Sequence, residues 1–90
     1  MAKETVLFQS EERMDLKKVS TFLYQLADRL EHNQVILQQG TEEITLNIPN
    51  NVILEVKVEE EDKRGIAKYS LEVEIEWRKG DESRGVIILD

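Results

Sequence analysis

The sequence predicts an α+β domain of two layers, with one amphipathic helix packed on a mainly antiparallel sheet. Two changes of rhythm predict it. Apolar residues over 16–31 recur at helical spacing, and from residue 34 onward the period becomes two. A shorter alternating segment precedes the helix, so the expected order is β-α-β-β-β-β, with room for an added strand at the C-terminus. The expected limits are a single domain over 1–79 and a C-terminal extension over 80–90.

The first element, ETVLFQ over 4–9, reads as a short strand with Val6 and Phe8 on one face. SEER then breaks the pattern. In the helix, Leu16, Val19, Leu23, Leu26, Ala27 and Leu30 form one stripe, flanked by Phe22 and Tyr24. Asp15 suits the N-cap, because its carboxylate can accept from free amides of the first turn. His32 and Asn33 suit the end: the helix dipole favours a cation there, and Asn tolerates left-handed backbone.

Four strands are expected beyond the helix. Their inward sets are Val35 and Leu37; Ile44, Leu46 and Ile48; Val52, Leu54, Val56 and Val58; and Tyr69, Leu71, Val73, Ile75 and Trp77. GTEE, PNN and EEEDKRG supply the connections. Keeping apolar faces in phase pairs Leu37 with Ile44, Ile48 with Val52, and Val58 with Tyr69, which gives a four-stranded meander. In the last segment Val86, Ile87, Ile88 and Leu89 run continuously apolar, a pattern suited to a sheet edge in this chain or another.

Charge separates the functional classes. The net charge is −7, and residues 34–77 carry 10 acidic against 4 basic side chains. Nucleic-acid affinity comes mainly from phosphate neutralisation by Lys and Arg, so direct nucleic-acid binding is disfavoured. An anionic membrane surface is disfavoured for the same reason. No apolar run approaches the roughly 20 residues that span a bilayer. The opening residues lack a secretory pattern, so a cytoplasmic protein is the expectation.

The acidity concentrates on one strand face. Glu72, Glu74 and Glu76 alternate with Leu71, Val73, Ile75 and Trp77, so the carboxylates look toward water. In the meander register Glu55 falls opposite Glu72, and Lys57 falls opposite Ser70 and diagonal to Glu72. Glu55, Lys57, Glu72, Glu74 and Glu76 are therefore the candidate partner-binding face. The plainer role for this surface is to keep a one-sided sheet soluble. A flat row of glutamates about 6.8 Å apart offers too few converging oxygens for a tight calcium site.

The run LEVEIEW, the earlier LEVKVEE and the opening VLFQSEERMDLKKVSTFLYQLADRLE resemble the amphi-Trp domain family. That small bacterial and archaeal family is named for an amphipathic strand ending in Trp. The resemblance covers about residues 1–78, and its most specific parts are the FQSEERM–helix opening and the Trp-terminated strand. It implies the domain limits and carries no established activity, cofactor or catalytic residue.

Catalytic constellations are missing from the sequence. His32 is the one imidazole and reads as a helix-terminal residue. There is no Cys, and glycines 40, 65, 80 and 85 stand apart as turn formers rather than in a phosphate loop. Exposed glutamates should keep ordinary proton affinities, which leaves no raised carboxyl for acid–base work. No cofactor or metal site is expected. Trp77 and Tyr69 read as core-edge residues, and Ile36 and Ile53 as outward aliphatics. The expected function is non-catalytic, a protein-binding or self-assembling module acting through the acidic face or an edge strand. The alternative is a nucleic-acid-mimicking regulator that fills a basic groove.

Overall fold

The computed structural model describes residues 3–80. It has one helix followed by four antiparallel strands in two sheets, an α+β fold. Two compact units divide the chain, Met1–Ile48 and Pro49–Asp90. The VIIL run at 86–89 lies outside the described residues.

The first unit holds α1 (Leu16–Leu30), β1 (Gln34–Gln39) and β2 (Glu42–Asn47). Asp15 is the N-cap: its side chain accepts from the Lys18 amide at 2.8 Å. The stop is local as well. His32 Nδ1–H donates to the Asp28 carbonyl at 2.9 Å, and Asn33 takes the left-handed conformation with φ 61°. β1 and β2 pair as the hydrophobic phase requires, with Leu37 opposite Ile44 and Val35 opposite Leu46. α1 packs on β1, and Phe22, Leu26 and Arg29 share a groove with Val35 and Leu37. Val35 and Ile48 are the buried apolar residues of this unit.

The expected strand over 4–9 is absent: these residues pair with no strand among those described. Val6 and Leu7 are exposed, and two or three apolar side chains bury too little surface to hold a strand of that length.

The second unit is a long two-stranded ribbon, β3 (Ile53–Lys63) and β4 (Ile66–Glu76). The expected meander is therefore replaced by two hairpins, because β2 and β3 do not pair. Asn33 and Pro49 mark the end of β2. Ile48 N donates to the Asn33 carbonyl at 2.9 Å, and Asn33 Nδ2 donates to the Ile48 carbonyl at 2.8 Å. These bonds carry the β1–β2 ladder one pair past Gln34–Asn47. Pro49, next in line, has no N–H to offer a ladder.

The ribbon's register also differs from the expected one. Val58 faces Leu71 rather than Tyr69, Val56 faces Val73, and Leu54 faces Ile75. The shift of two keeps every apolar side chain on the same face, so alternation alone could not detect it. Turn geometry selects the register. The expected pairing would put Lys63 and Arg64 at the tip. The observed pairing puts Arg64 (φ 56°) and Gly65 (φ 81°) there, the two positive φ values of a primed hairpin turn. Residues expected as a charged loop over 59–63 thus extend the strand. Asp62 Oδ1 accepts from the Gly65 amide at 3.0 Å and braces the tip.

Candidate functional site

The register sorts the ribbon into two faces. Directly opposed residues share a face, so Ile53, Glu55, Lys57 and Glu59 lie with Glu76, Glu74, Glu72 and Ser70. All five candidate residues, Glu55, Lys57, Glu72, Glu74 and Glu76, are therefore on one exposed face. The cross-strand partners change, however. Glu55 lies opposite Glu74 rather than Glu72, and Lys57 opposite Glu72 rather than Ser70.

This exchange redistributes the charge. Lys57 now faces Glu72 across the ribbon, and its Nζ lies 3.8 Å from Glu59 Oε2. Glu74 has the less favourable place, facing Glu55 with Glu72 and Glu76 as its same-face neighbours along the strand. Like charges directly opposite destabilise a pair. The proton affinity of Glu74 is raised, first by the hydrogen bond its protonated carboxyl shares with Glu55, then by the Glu76 charge. The expectation of ordinary affinities along this strand is thereby corrected at Glu74. Both causes act on an open surface, so they supply no buried acid.

The opposite face carries Leu54, Val56 and Val58 against Ile75, Val73 and Leu71, ending at Glu60 and Tyr69. The Tyr69 hydroxyl donates to Glu60 Oε2 at 3.0 Å, closing the apolar stretch with a polar pair. Trp77 is half-buried just beyond β4, beside Val52, Ile53 and Arg78. Among the described residues no cluster of His, Cys, Asp or Glu has the arrangement of a metal site. No helix among them is long and apolar enough to cross a membrane. Sequence reasoning missed the Glu55–Glu74 opposition; the Arg64–Gly65 pair was the signal that would have set it.

The class so defined is an α+β protein with a strongly amphipathic, acidic β-ribbon that runs up to a Trp. The family model of the Amphi-Trp domain matches residues 1–88, and the chain belongs to that family. The match extends past the Trp-terminated strand into the C-terminal segment. The family is of uncharacterised function. No curated protein and no solved structure matches the chain.

Proposed function

We propose that this chain is a non-catalytic protein-binding module that docks a basic partner on the acidic face of the β3–β4 ribbon. One observation carries the reading: Glu55, Glu72, Glu74 and Glu76 stand together on one exposed face, with Lys57 opposite Glu72. Such a face stores like-charge repulsion that a cationic partner relieves on binding, so complementarity strengthens association and speeds encounter. The environment of His32 agrees with a non-catalytic role, since its Nδ1–H is engaged by the helix end. A cytoplasmic location fits the same reading.

The test compares wild type with a Glu72/Glu74/Glu76→Gln variant in affinity capture from source lysate, with circular dichroism verifying the fold. The expected result is a partner retained by wild type, lost by the variant, and released as salt rises. Equal recovery by both proteins refutes the docking role. If DNA competes the partner away, the partner has a basic nucleic-acid groove, and the acidic face works by mimicry.

A further inference from the structure

The apolar face of the ribbon lies on the other side from the acidic row, and the family match assigns it nothing. Leu54, Val56, Val58, Leu71, Val73 and Tyr69 are each 59% to 70% exposed. An isolated two-stranded ribbon is at best marginally stable in water, and cover over its apolar face is what normally stabilises one. We propose that a second copy of this chain covers it, two ribbons packing apolar face to apolar face about a two-fold axis.

Area supports a partner of this size. Full burial removes about 100 Å² for an aliphatic side chain and about 200 Å² for a tyrosine. At the observed exposures these six residues offer about 450 Å² of apolar surface. A standard dimer interface takes about 800 Å² from each partner, of which roughly 65% is apolar, or about 520 Å². The patch therefore supplies most of what one half of such an interface needs.

Charge selects the face and the arrangement. Pairing through the acidic faces would set Glu55, Glu72, Glu74 and Glu76 against their own copies, in a chain already at net −7. Pairing through the apolar faces turns both acidic rows outward, separated by the full thickness of two ribbons. The patch is also self-complementary. Its three apolar cross-strand pairs centre on Val56–Val73, and the Glu60–Tyr69 pair marks one end. A two-fold axis at the central pair keeps Glu60 of each copy at the rim, where water reaches it. This inference uses the opposite face from the docking reading, and either can fail without the other.

The experiment is sedimentation equilibrium of the full 90-residue chain over a wide concentration range, with the thermal midpoint followed by Trp77 emission. Wild type is expected to move reversibly from 10.5 kDa to twice that mass, with a midpoint that rises with concentration. Val73→Glu should halve the mass at high concentration. Because Val73→Glu could unfold the ribbon, Val73→Thr keeps the shape and strand preference. It places a hydroxyl at the axis twice per dimer and should weaken dimerisation roughly tenfold or more. Glu74→Gln, on the outer face, should leave the dimer intact. A monomer at every concentration overturns the proposal, as when the patch is covered within one chain. So does a dimer indifferent to both Val73 variants, or one disrupted by Glu74→Gln.

Discussion

Asn33 closes the first unit, and replacing it separates two energetic terms. It stands at φ 61° three residues past Leu30, the end of α1, and its Nδ2 donates to the Ile48 carbonyl at 2.8 Å. Its own carbonyl accepts from the Ile48 amide, a backbone bond that any substitution except one that moves the chain preserves. Asn33→Ala removes the side-chain bond, worth about 1 kcal/mol net. It also puts a residue without a compensating polar group into left-handed backbone, at about 1 kcal/mol more. The expected total is about 2 kcal/mol. Asn33→Gly loses the same bond without the steric term, and glycine's extra freedom in the unfolded chain returns part of that advantage, so it should cost about 1–1.5 kcal/mol. Urea unfolding at 222 nm reads this unit, because α1 is the one helix among the described residues. With a slope near 1 kcal/mol/M, the midpoint should fall by about 2 M for Ala and by about 1–1.5 M for Gly. An Ala variant as stable as wild type, or a Gly variant less stable than Ala, would refute this account of the helix stop.

Two further outcomes concern the ribbon, read by Trp77 emission. Gly65→Ala meets open space at its Cβ, so its cost is that of the φ 81° backbone alone, about 1 kcal/mol; an unchanged midpoint would remove the turn as the source of register. Glu74 titrates above its ordinary 4.5 in the folded chain, so the folded state holds this proton more tightly than the unfolded one. Its contribution to stability is therefore greatest below 4.5 and declines as pH rises through the raised folded value. Glu74→Gln should raise the thermal midpoint at pH 7 and flatten that part of the pH profile, and an unchanged profile would contradict the Glu55–Glu74 opposition.

Much of the local structure is written into single residues and their spacing. Asp15 begins the helix because a carboxylate there can reach a free amide three residues on, and Asn33 ends it because Asn accepts left-handed backbone. The alternation in LEVEIEW places Glu72, Glu74 and Glu76 on one face whatever the strand pairs with. The α+β class and the five co-facial candidate residues follow from such short-range rules.

The pairing of strands obeys longer-range competition. A shift of two preserves the apolar face, so hydrophobic phase could not choose between Glu72 and Glu74 as the partner of Glu55; the positive φ values at Arg64 and Gly65 could. Ile48 could have paired with Val52 by phase alone, but the four strands form two separate hairpins, and Pro49 brings no N–H to a ladder there. The sequence by itself thus determined the helix, the four strands that follow it and their faces. Only the tertiary structure decided the register and the split into two hairpins, because hydrophobic phase is the same for pairings two residues apart and only the backbone at the turns tells them apart.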